Sequence, residues 1–267
     1  MQTKIIDATN KETGKKALPA QFDEDFRLDL IRRAYYSLKS HDRQPYGTKP
    51  GAGTRQSVEV SKRRRDYRGS YGIGIARIPR KVFLHRGTRF NWTGAFVPSA
   101  VGGRAAFPPK AEKIWDQKIN TKERRKSIRS AIAATMAPKI VEQRHKLPAS
   151  FPFIISASFE DISTTKDAKK AFEAIGLKAE LERTAERKIR AGKGTMRSRK
   201  YITKKGPLIV VSKDCKLMKA AVNITGVDII DVKHLNIGYL APGAAPGRLT
   251  LWTEPAIEIM SKEKLFM

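Results

Sequence analysis

The sequence predicts an α/β fold: a mostly parallel sheet with helices on both faces, three layers in all, plus a long extended basic loop and a second basic insertion. Three observations lead there. From residue 151 onward, short apolar runs alternate with amphipathic segments, the pattern of parallel strands joined by crossover helices. Between His41 and Lys110 no apolar period of 3.6 or 2 persists, so that stretch has no face of its own to bury. The third is segregated charge. The 267 residues carry 54 Lys and Arg against 26 Asp and Glu, a net charge of +28. Fifteen cations meet three acids between residues 41 and 110, and ten meet one between 183 and 205, while residues 151–182 and 206–267 are close to neutral. A surface charged only for solubility has no reason to concentrate charge in this way; a polyanion footprint beside a near-neutral body does. The expected organisation is a globular α/β domain of residues 1–43 and 108–267, an extended loop of 44–107, and a basic insertion of 183–206.

Taken in order, Thr3–Ile6 and Lys16–Leu18 flank the turn-prone Thr9-Asn10 and Thr13-Gly14 and predict a small hairpin. Asp23, Glu24 and Asp25 supply acids for a helix first turn. Phe26, Leu30, Ala34 and Leu38, with Ile31 and Tyr35, give that helix its apolar stripe, ending near His41. After Pro108-Pro109, Asn120 and Glu123 have the spacing of a capping box, and Ile128, Ile132 and Met136 make one core face before Pro138 ends or kinks the helix. Phe151–Ser156 is a continuous apolar run suited to a doubly covered strand. Thr164 caps a helix with Asp167 three residues on; Ala168, Ala171, Phe172 and Ile175 form its buried face and Gly176 stops it. Leu208–Val211, Val227–Val232 and Leu249–Trp252 are further strands. One helix is expected to open near Ser212, and another at Thr253 with Pro255 in its first turn.

Catalytic signals are thin. Cys215 is the sole cysteine, which excludes disulfides and multi-cysteine metal sites, and its neighbours Leu217, Met218, Ala220 and Ala221 suit a buried apolar role. His41, His85, His145 and His234 lack metal-ligand spacing and read as surface or packing residues, with His85 a candidate RNA contact. Gly72-Ile73-Gly74 lacks the third glycine of a dinucleotide fingerprint, since Arg77 stands there, and no strand precedes it. Gly192-Lys193-Gly194-Thr195 lacks both the earlier glycine and the hydroxyl directly after the lysine of a phosphate loop. The expectation is therefore no enzyme, no cofactor and no metal. No run approaches membrane-spanning length, and MQTKIIDATN has no apolar signal core, so a soluble intracellular protein is expected. Tyr67, Tyr71, Phe83, Phe90, Trp92 and Phe96, interleaved with Gly, Arg and Pro, form either a satellite core or a set of stacking surfaces for exposed bases.

Several motifs carry a resemblance: Arg77-Ile78-Pro79-Arg80, Gly103–Lys110 (GRAAFPPK), Arg124–Thr135 (RRKSIRSAIAAT), Arg190–Arg199 (RAGKGTMRSR) and Leu240–Arg248 (LAPGAAPGR). In order and spacing the chain resembles, nearly end to end, the archaeal and eukaryotic type of the universal large-subunit ribosomal protein L-four family. That resemblance implies a globular α/β domain on the outside of the large subunit and a loop entering the rRNA. It also implies that the loop tip, with a neighbouring ribosomal protein, narrows the nascent-peptide exit tunnel. Two departures stand out: Ile75 follows the tip's Gly-x-Gly where the family usually has a basic or polar residue, and Ala244 follows Gly243 where it tends to have a second glycine, a place where positive φ would be disfavoured.

The expected function is a structural constituent of the large ribosomal subunit in the cytoplasm. Its expected partners are large-subunit rRNA, neighbouring ribosomal proteins and the nascent polypeptide, with no membrane. The expected rRNA contacts are Arg55, Lys62, Arg63, Arg64, Arg65, Arg68, Arg77, Arg80, Lys81, Arg86, Arg89, Arg104 and Lys110 in the loop, and Arg190, Lys193, Arg197, Arg199 and Lys200 in the insertion. The expected tunnel tip is Tyr71, Gly72, Ile73, Gly74, Ile75 and Arg77. The alternatives are an RNA-modifying enzyme with basic substrate-binding arms, which needs a cofactor loop after a strand, and a duplex-DNA binder, which suits a regular groove better than Gly-rich threads do.

Overall fold

The computed structural model describes residues 2–87 and 89–267, with the backbone alone at Phe90. In chain order its elements are β1 (Gln2–Ile6), β2 (Glu12–Ala17), α1 (Leu28–His41), β3 (Arg80–Arg86), β4 (Arg89–Gly94), α2 (Thr121–Thr135), α3 (Pro138–Val141), β5 (Phe153–Ile155), α4 (Thr165–Ala174) and α5 (Lys178–Ala185). There follow β6 (Arg187–Ile189), β7 (Tyr201–Thr203), β8 (Leu208–Val211), α6 (Lys216–Ala221), β9 (Asp228–Asp231), α7 (Ile237–Leu240), β10 (Thr250–Trp252) and α8 (Glu254–Lys262). The chain divides into two compact units, one of Met1–Asp42 with Asp116–Met267 and one of Arg43–Trp115.

The fold is mixed α/β with small sheets. In the first unit β2-β1-β5 form one three-stranded sheet, antiparallel between β1 and β2 and parallel between β1 and β5. β10-β8-β9 form a second, parallel throughout, and a bridge pairs Ile155 with Thr253. Every residue of β8 is fully buried, because the strand is apolar at all four positions and its side chains alternate between two clusters. Leu208 and Val210 join Ile31, Ile128, Ile132, Trp252 and Met260, whereas Ile209 and Val211 join Phe153, Ile155, Phe172, Leu177 and Leu217. Burying each such side chain contributes roughly 1.5–3 kcal/mol. Trp252, with no exposed surface, donates its indole N–H to Thr135 Oγ1 at 3.3 Å and meets Phe22 edge-on at 5.0 Å between centroids.

Several local expectations hold. Thr164 accepts from the Asp167 N–H and caps α4, and Thr253 accepts from Ala256 N–H and caps α8, with Pro255 in the first turn. Gly176 ends the α4 region at φ +94°, a conformation open to glycine without strain. Others shift for identifiable reasons. α1 begins at Leu28, so Phe26 and the acidic run lie ahead of it; Phe26 is exposed. Glu24 pairs with Arg129 of α2 at 2.7 Å, and the Asp25 carbonyl accepts from Ser130 Oγ, so these residues tether α2 instead of charging a helix end. Asn120 makes no side-chain cap bond, and Glu123 pairs with Arg33 at 3.1 Å. α6 opens at Lys216 instead of Ser212, because Ser212 is bound by N–H and hydroxyl to the Glu160 carboxylate. The hairpin strand β2 starts earlier than expected, and α5 and α7 fall in stretches where no helix was predicted.

Ala244 does sit at positive φ, +63°, directly after Gly243 at +76°. The turn persists because Arg144 donates to the carbonyls of Pro242 and Ala245, which fixes the backbone on either side of the strained residue. Ala244→Gly relieves a left-handed conformation that costs a non-glycine residue about 1–2 kcal/mol, set against the extra chain entropy of glycine. Urea denaturation is expected to find Ala244→Gly as stable as the parent or up to about 1 kcal/mol more stable, whereas Ala131→Gly inside α2 loses about 1 kcal/mol or more. A clear loss at Ala244 would show that the methyl, not the backbone, matters there.

Candidate nucleic-acid interface

The unit Arg43–Trp115 holds sixteen Lys and Arg against three acids. Among its described residues only Ser70 and Ala95 are buried. The stretch is nonetheless more regular than its pattern predicts. β3 and β4 pair as an antiparallel hairpin, and Glu59 bridges Arg80 on its edge through both backbone bonds, at 3.0 and 3.1 Å. Ser70 returns to Ser61 through N–H and hydroxyl, which closes the Lys62–Gly69 turn. The apolar alternation that would have signalled β3 is masked because Phe83 and Leu84 are both exposed. Further along, two legs of the unit meet backbone to backbone: Thr48 N–H donates to Pro109 O at 3.0 Å. A Cβ on Gly47 would fall 2.5 Å from Ala111 N, and one on Gly103 2.0 Å from Val97 O, so glycine is required at these approaches.

Cations here lie over aromatic rings. Arg77 sits 4.3 Å from the centroid of Tyr71, Lys81 5.1 Å from Phe83, Arg80 5.8 Å from Trp92 and Arg68 5.4 Å from Tyr67. Tyr67 Oη also lies 2.7 Å from His85 Nε2. Among the described residues one ion pair joins this unit's cations to its acids, Arg68 with Glu59 at 3.0 Å. Phe90's side chain, one of the predicted stacking surfaces, lies outside the described residues.

The predicted contact residues fall into two groups. Arg55, Lys62, Arg63, Arg64, Arg65, Arg77, Arg86, Arg89 and Lys110 are exposed, as are Lys193, Arg197, Arg199 and Lys200. Arg68, Arg80, Lys81, Arg104 and Arg190 are half-buried. At the predicted tip, Arg77 folds over Tyr71 and closes the turn between them. Gly72 and Gly74 take φ of +78° and +68°, while Ile73 is more than half exposed and Ile75 partly covered.

The second basic segment belongs to the other unit and is a ribbon, not an irregular insertion. β6 and β7 pair Arg187–Thr203, Lys188–Ile202 and Ile189–Tyr201. Arg190 closes the end, its N–H donating to Lys200 O and its Nε to Arg199 O, and Thr195 Oγ1 returns to Arg190 O at 2.7 Å. Helix α5 carries the chain to Ala185, and the ribbon begins with β6 at Arg187.

At the root of this ribbon lies a buried charge network absent from the sequence reading. Glu180, fully buried, accepts from Arg183, from His145 Nδ1 at 2.6 Å and from the Lys146 N–H at 3.0 Å. Burial alone would raise the Glu180 pKa, but these three donors outweigh it and hold the carboxyl at about 2. Burial depresses the His145 pKa, so a neutral ring donating from Nδ1 to the carboxylate fits the pair. Arg183 also donates to Lys205 O where the ribbon's second leg ends. Arg248, likewise without exposed surface, donates to Gly206 O at 2.8 Å and pairs with Asp228. The sequence offers Glu180 and Arg183 at i,i+3 and one arginine in LAPGAAPGR, but their partners lie more than thirty residues away in the one case and about twenty in the other.

The fold and these two cationic ribbons define an α/β protein that concentrates positive charge on segments with almost no core of their own. The chain matches the model of the ribosomal protein L4/L1 family over residues 16–263, and it belongs to that family. It is 45% identical to the large ribosomal subunit protein uL4 of Nanoarchaeum equitans across the full length of both chains. With the protein of that name from Archaeoglobus fulgidus it shares 44% identity over 98% of this chain and 99% of the relative. With that of Pyrobaculum aerophilum it shares 47% over 90% and 82%.

Two outcomes are expected. Because the folded Glu180 carboxyl titrates below its unfolded value, its stabilisation is complete above about pH 4.5 and is lost as pH falls toward 2. Denaturation between pH 6 and 2 is expected to show that slope in the parent and a shallower one in Glu180→Gln, and Glu180→Ala is expected to lose about 3–5 kcal/mol at neutral pH by stranding its partners. In the free protein, hydrogen exchange across residues 50–100 is expected to be fast beside β8, since an isolated hairpin is marginal in water. Strong protection there would mean that the unit is ordered without a polyanion.

Proposed function

We propose that this chain is a structural constituent of the large ribosomal subunit that binds large-subunit rRNA through its two cationic ribbons. The observation that carries the reading is that thirteen of the eighteen anticipated contact cations are exposed, on two segments with little core, in a chain of the ribosomal protein L4/L1 family. In this reading the first unit is the anchoring body, with its two three-stranded sheets acting as one platform covered by helices on both faces. The loop 44–107 threads between RNA helices, where Lys62–Arg65, Arg86 and Arg89 neutralise phosphates and the exposed aromatics stack on splayed bases. The Tyr71–Arg77 tip reaches the wall of the nascent-peptide tunnel beside a neighbouring protein. Ile73 and Ile75, set among glycines, offer a passing chain little to hydrogen-bond, which suits a wall that must not retain it. The ribbon 187–203 adds a second footprint through Arg190, Lys193, Arg197, Arg199 and Lys200. The protein works in the cytoplasm, within the ribosome, and holds RNA without performing chemistry on it.

Contact with about ten phosphates predicts that log affinity for an rRNA fragment falls against log salt with a slope of roughly −7 to −9. Replacing Lys62, Arg63, Arg64 and Arg65 together by Ala is expected to make that slope shallower by about 3. A flat salt dependence in filter-binding titrations would refute the proposal.

A further inference from the structure

The legs of the Arg43–Trp115 unit enclose a groove outside the cationic clusters. It is lined by Tyr46, Phe107, Pro108, Pro109, Lys110 and Trp115 and has a volume of about 520 Å³, within the ~300–1,000 Å³ common for ligand sites. Its two walls are held together where Thr48 N–H meets Pro109 O and where Gly47 lets the backbone approach Ala111. Tyr46 and Trp115 stack with centroids 5.6 Å apart and planes 15° from parallel. Opposite charge is scarce: Arg43 and Lys113 lie 4.0 and 4.3 Å from the Trp115 ring, Lys110 lines the groove, and Glu112 is the one acid there. Phe107 is 98% exposed, a state that an apolar ring of this size adopts at a cost unless something covers it. The Trp115 indole N–H is shielded from solvent and has no hydrogen-bond partner among the described residues.

We propose that this groove takes an unstacked nucleobase of single-stranded or looped RNA, seated against Phe107 and the Tyr46–Trp115 pair, with its phosphates beside Lys110, Lys113 and Arg43. The inference rests on the reading of this chain as an RNA binder and adds a base-selective seat to it. Flat aromatic surfaces accept any base through its π-face, and cations on the rim complement the phosphates that accompany it. A phosphate alone would use the rim and leave the rings uncovered. A base uses both.

The test uses the full chain carrying Trp92→Phe, so that Trp115 and the buried Trp252 report fluorescence. It is titrated with hexa-adenylate and with an abasic RNA hexamer of equal charge. Hexa-adenylate is expected to quench emission and to bind about tenfold or more tighter than the abasic strand. Phe107→Ala, at a fully exposed position, is expected to remove most of that difference and leave abasic affinity unchanged. Equal affinity for the two strands, or an unaltered preference in Phe107→Ala, would overturn the seat. So would a proline-rich peptide that quenches Trp115 and displaces hexa-adenylate. The four-fold Ala variant of Lys62–Arg65 separates the two readings. If it weakens both strands while base preference is absent, the seat fails and the RNA-binding function stands; if it weakens neither, the function fails as well.

Discussion

Repulsion among like charges divides this chain. Of the 54 Lys and Arg behind the net charge of +28, twenty-five lie on residues 41–110 and 183–205, which carry only four Asp and Glu, so repulsion within those segments finds few carboxylates to relieve it. Where the chain has carboxylates or free carbonyls to offer, cations are drawn in: Arg248 and Arg183 lie in or against the core, tied to Asp228, Glu180 and backbone oxygens. Where it has none, they remain at the surface, and the segments that carry them fold only as far as hairpins and glycine-mediated backbone contacts allow. Cations resting on tyrosine, tryptophan and phenylalanine rings are the fallback of a segment short of acids, each contact worth only about 0.5–1 kcal/mol at an exposed site.

That division explains what the sequence made legible. Elements whose signal is local are legible: the Thr164 and Thr253 caps, the Gly176 stop, and the apolar run Leu208–Val211, which reads as a strand and forms β8. Elements whose cause is distant were not. Glu24 looks like a first-turn acid until Arg129, a hundred residues on, claims it. β3 and β6 carry no alternation because neither strand has a buried face to alternate against, and their pairing depends on register and turn geometry. α5 carries little local signal because the bonds that hold it in place run from Glu180 to His145 and Lys146, more than thirty residues away.

The candidate interface was legible in kind and less so in form. Which residues are cationic and which lack a core can be counted, and thirteen of the eighteen anticipated contacts are exposed. Which cations are committed within the protein cannot be counted. Arg68 pairs with Glu59, and Arg190 closes the β6–β7 ribbon through its own backbone and side chain; both shape the ribbons as well as charging them. Ala244 shows the same limit from the other side. A rule about residue type disfavours positive φ there, yet the surrounding bonds from Arg144 hold it, because backbone strain of about 1–2 kcal/mol is offset by two charge-assisted hydrogen bonds to the carbonyls on either side.

Glycines in the Arg43–Trp115 unit fall into two kinds. At Gly47 and Gly53 a side chain would strike the backbone of the other leg at 2.5 and 2.6 Å, and at Gly103 it would strike the Val97 carbonyl of its own leg at 2.0 Å, so these glycines are fixed by close backbone approach. At Gly72, Gly74, Gly87 and Gly102 an added Cβ would meet nothing within 4 Å, yet all four hold positive φ. Nothing internal demands glycine at those four except the turn itself, and such turns have neighbouring conformations of similar energy. The legs are thus specified by their own packing and the turns are not. That contrast in local constraint suits legs that keep their shape and outer turns that adapt to a partner.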